Sequence, residues 1–282
     1  MKTAILRLMQ ILLLLIVVSV ASCGPRFRQP PAEKSAGDAF KEVHSHPARV
    51  DRFWERAHEA VYRSPEELKA QHKREGRKGI VYDKLMYGDL SRKEVALTFD
   101  DGPHRLFTPQ LIRLLKKYEV KATFFFVGKM AEKHKDLVRA LTAEGHEVEN
   151  HSFHHVNLTK IPKEEIEVEW LACNEVLKSI TGREPKFCRP PGGDYDDEVI
   201  QAAARCGLTT VLWTDDPGDY ARPGKEKIED RVLANIDNGG IILLHDGVQQ
   251  TINILPDIIE HLKKRGYKFI TITEMAHELE NK

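Results

Sequence analysis

The sequence predicts an α/β fold built on a parallel sheet, and three observations carry that prediction. Short β-rich runs alternate with helical stretches from residue 93 onward, the runs are apolar almost throughout, and ionisable residues gather where they end. Strands covered on both faces lose the polar alternation of a half-exposed sheet. Thr123-Phe124-Phe125-Phe126-Val127 and Ile241-Ile242-Leu243-Leu244 therefore read as buried parallel strands.

Strands are expected over 94–100, 122–128, 146–151, 186–190, 208–215, 240–245 and 267–273. Helical patterns fill 108–118, 130–144, 163–180, 197–206, 227–236 and 254–264. Seven strands alternating with six helices fit βαβ units. Right-handed crossovers then put every strand's C-terminal end on one side. Such a sheet either closes as a barrel or stays open, and in both cases chemistry gathers at that rim.

Ahead of this pattern the chain reads as three parts. Residues 1–22 place Lys2 and Arg7 before and beside an apolar run, Ile11 through Val18, that ends in small residues, the layout of an export signal. A membrane-spanning helix is the competing reading, but the run is short for a hydrocarbon core of about 30 Å, and Arg7 and Gln10 block its extension. Val20-Ala21-Ser22-Cys23 resembles the lipobox of bacterial lipoproteins, in which Cys23 becomes the acylated first residue. A plain secretory signal with an incidental cysteine is the alternative. The lipobox resemblance implies an exported protein whose partner at Cys23 is the membrane, anchored by two or more acyl chains to the bacterial envelope on its periplasmic or extracellular face.

Residues 23–47, with Pro25, Pro30, Pro31 and Pro47, read as a flexible tether. Residues 48–92 read as a helical extension. Val50, Phe53, Trp54, Ala57 and Val61 fall at helical spacing, and Ser64-Pro65-Glu66-Glu67 offers an N-cap, a first-turn proline and a capping glutamate. The main domain is expected over 93–282.

A chain of 282 residues with 41% hydrophobic content has room for one large domain plus such an extension. Lys+Arg and Asp+Glu both number 43, so no basic field exists to draw in nucleic acid. Cys173, Cys188 and Cys206 fit no paired CxxC zinc motif and read as buried free thiols, with one disulfide of unassigned pairing as the alternative.

Charged residues converge on the expected rim. Asp100 and Asp101 end the first strand, His151 and His155 follow the third, and Arg189 ends the fourth. Asp215, Asp216 and Asp219 follow the fifth, and His245 and Asp246 end the sixth. Two imidazoles spaced i, i+4 on a turn, completed by Asp101, make a His-His-Asp set of the kind that leaves a catalytic metal one open position. His154 lies between them and reads as structural or solvent-exposed. Adjacent carboxylates project to opposite sides of a strand unless the chain turns, and Gly102-Pro103 supplies that turn. Asp100 and Asp101 can then divide the work, one holding metal and the other acting as a base on water.

Thr98-Phe99-Asp100-Asp101-Gly102, His151-Ser152-Phe153-His154-His155, Arg189-Pro190-Pro191-Gly192-Gly193, Trp213 through Tyr220, and Leu243-Leu244-His245 resemble the five ordered motifs of the NodB-like polysaccharide deacetylases, carbohydrate esterase family 4. The resemblance covers roughly residues 93 to 275. It implies a distorted (β/α) barrel of about seven parallel strands. It also implies Asp100 as general base, and Asp101, His151 and His155 as ligands of a divalent metal, usually Zn2+ and sometimes Co2+ or Ni2+.

Arg189 would orient and charge-balance Asp100. His245 would be general acid with Asp219 keeping it protonated, and Trp213 and Leu243 would line the acetyl pocket. The family often has Tyr where this chain has Gly192, which leaves a backbone N–H contact to the carbonyl oxygen but removes a side-chain wall; Tyr220 stands in place of a frequent Trp. The implied substrate is an acetylated glycan such as a chitin-like oligomer or peptidoglycan. An O-acetyl esterase of acetylated xylan, or a glycan-binding protein without catalysis, are the competing readings.

Overall fold

The computed structural model describes residues 35–45 and 62–281. The expected export signal, Cys23 and the first extension helix around Val50–Val61 lie outside them. Among the described residues there are eight strands: β1 (Lys84–Leu85), β2 (Glu94–Asp100), β3 (Thr123–Phe126), β4 (Glu147–Asn150), β5 (Phe187–Cys188), β6 (Thr209–Val211), β7 (Gly240–His245) and β8 (Lys268–Phe269). The helices are α1 (Ala36–Ser45), α2 (Pro65–Arg77), α3 (Thr108–Lys117), α4 (Gly128–Lys133), α5 (Lys135–Ala143), α6 (Lys163–Thr181), α7 (Asp197–Arg205), α8 (Lys225–Asn235), α9 (Gln249–Lys264) and α10 (Ile272–Glu280).

All pairings are parallel, in the order β1-β6-β5-β4-β3-β2-β7, with β8 added to the start of β2 at Glu94 and Val95. The segment after β6 returns to β7 through one bridge, Asp215 to Ile242. The sheet thus curls into a distorted (β/α) barrel. Every residue of β2, β3 and β7 is buried, as continuous apolar strands require. Alternate residues serve two cores. Val95, Leu97, Phe99, Phe124, Phe126, Ile242 and Leu244 pack with α3, α6 and α9, while Ala96, Phe125, Ile241 and Leu243 face a second cluster with Trp170, Val199 and Trp213.

All seven expected strands are present, and the departures are local. The stretch 36–45, expected as tether, is helical: the Ser35 hydroxyl accepts the Asp38 N–H at 3.1 Å, Ala39 is buried and Phe40 packs on the core. The prolines nearby masked that cap. The expected helix 130–144 breaks in two at His134, whose φ and ψ of −129° and 49° leave the helical region. The last expected strand stops at Phe269, because a Thr271–Glu274 capping box starts α10 inside it.

The described part of the extension, residues 62–92, adds a strand to the sheet. Its two-residue β1 is too short for any periodicity, yet it pairs with β6. α2 carries the expected Ser64 capping box and buries Leu68 in the second core. It is pinned by Lys84, which pairs with Glu75 and donates to the Tyr195 hydroxyl at 2.7 Å, and by Tyr195, which donates to Glu75 at 3.0 Å. No helix among the described residues is long and apolar enough to cross a membrane. Cys173, Cys188 and Cys206 are free thiols; burial pushes the Cys206 thiol up to about 12.

Candidate active site

Register brings the strand ends to one level. Asp100 pairs with Phe125 of β3 and with His245 of β7, and Asn150 pairs with Cys188, so His151 and Arg189 leave their strands side by side. Three site residues then take left-handed backbone: Asp101 at φ 73°, Ser152 at 62° and His155 at 59°. Each such residue costs on the order of 1–3 kcal/mol and persists only where surroundings over-determine it. The turn at Asp101 lets two successive carboxylates face one cleft. Gly102 is required beside it, since a Cβ there would sit 2.5 Å from both Asp246 Oδ2 and the Phe126 ring.

The surroundings that hold the histidine loop come from α6 and the end of β4. The Asn150 side chain accepts from Ser152 N–H at 2.8 Å and donates to the Trp170 carbonyl and to Asn174 Oδ1. Glu169, 1% exposed, accepts from the N–H groups of Phe153 and His154 at 3.1 and 2.8 Å and contacts His154 Nδ1 at 2.6 Å. His154 is therefore a structural residue. Glu169 and Asn174 escaped the sequence reading; their signal was two polar residues on the apolar face of an amphipathic helix.

Asp101, His151 and His155 converge, their ligand atoms all lying within 4.8 Å of one another. Asp101 Oδ1 is 3.0 Å from His155 Nε2 and 3.4 Å from His151 Nε2. The His151 Nδ1 meets the Arg189 carbonyl at 2.7 Å, which assigns the proton to Nδ1 and turns the Nε2 lone pair inward. Asp101 Oδ1 is buried without a hydrogen-bond partner. An orphaned carboxylate oxygen facing two imidazole nitrogens fits a divalent cation. Burial works to raise the Asp101 carboxyl, but the two histidines outweigh it and hold it well below the usual carboxylate range.

On one side of this set, Asp100 is 3% exposed and its Oδ1 accepts from Arg189 Nη1 at 2.7 Å. Arg189 is wholly buried. Its Nη1 also meets Thr98 Oγ1 at 2.9 Å, its Nε and Nη2 reach the Val211 and Leu212 carbonyls, and its Cζ lies 4.1 Å from the Phe125 ring centroid. Beside Asp100 on the neighbouring strand is His245, whose Nδ1 lies 2.7 Å from Asp219 Oδ1. Asp219 Oδ2 accepts from His245 N–H at 2.8 Å and from Thr251 Oγ1 at 2.5 Å. Burial alone would depress the imidazolium; the Asp219 carboxylate reverses that and lifts His245 to about 9.

Trp213 and Leu243 are each 1% exposed, Trp213 lying 5.6 Å from the Arg189 guanidinium. Gly192 has φ 64° in the 3-10 turn that follows Arg189. Asp215 and Asp216 are on the rim but do not join the cluster. Burial, then Asp216, raises Asp215 to about 8, and Asp216 accepts from Gly218 N–H. Sequence reasoning also missed Tyr62 and Arg63, which come from the extension and reach the same cleft.

A barrel that lines its C-terminal rim with two buried charge pairs, Arg189–Asp100 and His245–Asp219, and a metal-type triad has the makings of a hydrolytic enzyme. A profile of the family described as Polysaccharide deacetylase matches residues 87–211. The chain is 40% identical over 190 residues to a peptidoglycan-N-acetylglucosamine deacetylase of Bacillus cereus, covering 66% of this chain and 89% of that one. It is 36% identical over 205 residues to a chitooligosaccharide deacetylase of Bradyrhizobium, covering 67% and 94%.

Among solved structures, the Bc1960 peptidoglycan N-acetylglucosamine deacetylase aligns with a TM-score of 0.67 at 36% identity, over 69% of this chain and 92% of that one. BA3943, a CE4 family pseudoenzyme from Bacillus anthracis, aligns with a TM-score of 0.68 at 30% identity, over 71% of each chain. The chain belongs to the polysaccharide deacetylase family, carbohydrate esterase family 4.

Proposed function

We propose that this chain is a metal-dependent N-deacetylase of N-acetylglucosamine units in a cell-envelope or chitin-like glycan. The observation that carries the metal requirement is the orphaned Asp101 Oδ1 between His151 and His155. The names of the relatives, peptidoglycan and chitooligosaccharide deacetylases, support the substrate class. A divalent metal held by Asp101, His151 and His155, most simply Zn2+ with Co2+ or Ni2+ as substitutes, would supply Lewis acidity at the acetyl carbonyl.

Asp100 takes a proton from the attacking water, and Arg189 balances the charge of its carboxylate and fixes its direction. The carbonyl oxygen gains negative charge as the bond forms; a backbone N–H at Gly192 stabilises it, a contribution of typically about 3–4 kcal/mol for one such donor. His245 then gives a proton to the nitrogen as the C–N bond breaks, releasing acetate and a free amine. Trp213 and Leu243 close around the acetyl methyl.

We further propose that residues 1–22 direct export, that Cys23 is acylated, and that the residues between Cys23 and the helix at Ala36–Ser45 tether a domain whose barrel begins within 48–92, upstream of 93–282. The envelope glycan is then within reach of the anchored domain.

Acetate release from N-acetylglucosamine oligomers and peptidoglycan, measured beside acetylated xylan, tests the substrate class. Release from the first two is expected, and activity on xylan alone would make the protein an O-acetyl esterase. Prolonged chelation should remove the activity and one divalent ion per chain; full activity after the ion is gone would end the metal reading. A pH profile tests the acid. His245 at about 9 is protonated through neutrality, so the alkaline limb of kcat/KM should lie near that value. In Asp219→Asn the largest influence opposing burial is gone, with Asp101 and Asp100 remaining, and the limb should move to lower pH. An unmoved limb would take the acid role from His245.

A further inference from the structure

Tyr62 and Arg63 precede α2 and are remote in sequence from every strand end, yet both sit at the cleft. Arg63 grips Asp194 Oδ1 with Nε at 3.0 Å and Nη2 at 2.6 Å, and its backbone N–H donates to the Gly192 carbonyl at 2.9 Å. The other Asp194 oxygen accepts from Asn157 and Thr159 at 3.1 and 2.8 Å. The two oxygens thus bind the extension to the loop after β4, while the Gly192 contact binds it to the turn after Arg189. Two guanidinium donors on one oxygen, with the other oxygen held by Asn157 and Thr159, fix direction as well as distance.

That clasp sets the ring of the preceding residue. Tyr62 lies face to face with Tyr220, centroids 4.2 Å apart and planes 7° from parallel. Both rings present edges to His245, at 6.2 Å and 5.3 Å. Neither ring is fully buried. Nor do they seal the cleft, because the Asp101 and His155 side chains remain 35% and 36% exposed. The pair is a wall beside the proton donor, on the side where Gly192 offers no side chain.

Stacked phenol rings offer an apolar face with polar rims, which matches a pyranose: C–H groups cover its faces and hydroxyls ring its edge. We infer that Tyr62, carried in by the extension and latched by Arg63, is a specificity-determining residue that with Tyr220 holds a sugar ring of a multi-unit glycan beside His245. The inference rests on the deacetylase reading for the identity of the glycan, but its test separates the two.

The full chain with divalent metal is compared as wild type, Tyr62→Ala and Tyr62→Phe. Binding of chitopentaose is measured by titration calorimetry, and kcat/KM is measured on chitopentaose and on 4-nitrophenyl acetate, which has no sugar to hold. Tyr62→Ala should bind the oligomer about tenfold more weakly, equal to about 1.4 kcal/mol. Its kcat/KM on the oligomer should fall by the same factor through KM, with a several-fold smaller loss on the ester, and Tyr62→Phe should behave as wild type. Equal losses on both substrates, no loss at all, or a gain in Tyr62→Ala that marks the ring as a plug would overturn the inference. A wild type that binds the oligomer, loses that binding in Tyr62→Ala and yet releases no acetate would sink the deacetylase reading and leave the wall in place.

Discussion

Asp100→Asn is expected to lower kcat for acetate release by on the order of 10³-fold while the protein retains its metal. The substitution keeps the shape of the side chain and an oxygen that accepts from Arg189 Nη1, 2.7 Å away in the native site. What it removes is the ability to take a proton, and loss of a general base typically costs 10²–10⁴-fold. Metal content is the discriminating readout. The ligand atoms that lie within 4.8 Å of one another are those of Asp101, His151 and His155, and Asp100 Oδ2 stands 3.7 Å from His151 Nε2 beside them. Parallel loss of metal and turnover would make Asp100 a ligand and would require another base. Turnover unchanged with metal in place would take the base role from it outright.

The similarity to both an active deacetylase and a pseudoenzyme makes this comparison more than a formality, because the fold is shared by proteins with and without turnover. Activity must be argued from the site. In this chain the carboxylate pair, both imidazoles, the buried arginine and the Asp219–His245 pair occur together around one cleft, each with partners that fix its orientation.

What could be read from sequence follows a physical division. Buried parallel strands must be apolar on both faces, so β2, β3 and β7 announce themselves, and βαβ handedness then collects Asp100, His151, Arg189 and His245 on one rim. Short pieces lack that signal. β1 contributes two residues and is specified by its partner β6, and α10 begins where one capping box outweighs β-rich composition. The same holds at the site. The ligand types were legible because metal chemistry restricts them to a few residues, whereas Glu169 and Asn174 act through backbone loops that only the fold brings near. Tyr62 is the extreme case. Its aromatic character fits packing as well as binding, and only the Arg63–Asp194 clasp reveals its destination.

Arg189→Met should destabilise the fold by about 3–5 kcal/mol in urea unfolding, the largest stability effect expected of any site residue. Removing one partner of a buried ion pair leaves the other charge uncompensated, which costs far more than the pair contributes when intact. Both partners are nearly free of solvent, Arg189 at 0% and Asp100 at 3%. Methionine fills much of the volume but makes none of the contacts to Thr98, Val211 and Leu212, and it gives up the stacking on Phe125. Arg189→Lys should not rescue it, since one ammonium cannot span Asp100, Thr98 and two carbonyls together. Adding Asp100→Asn to Arg189→Met removes the stranded charge and should recover part of the loss, so the two substitutions are expected to be strongly non-additive. Additive effects, or an Arg189→Met protein within about 1 kcal/mol of the parent, would mean that hydrogen bonds alone, without charge pairing, hold Asp100 where the chemistry needs it.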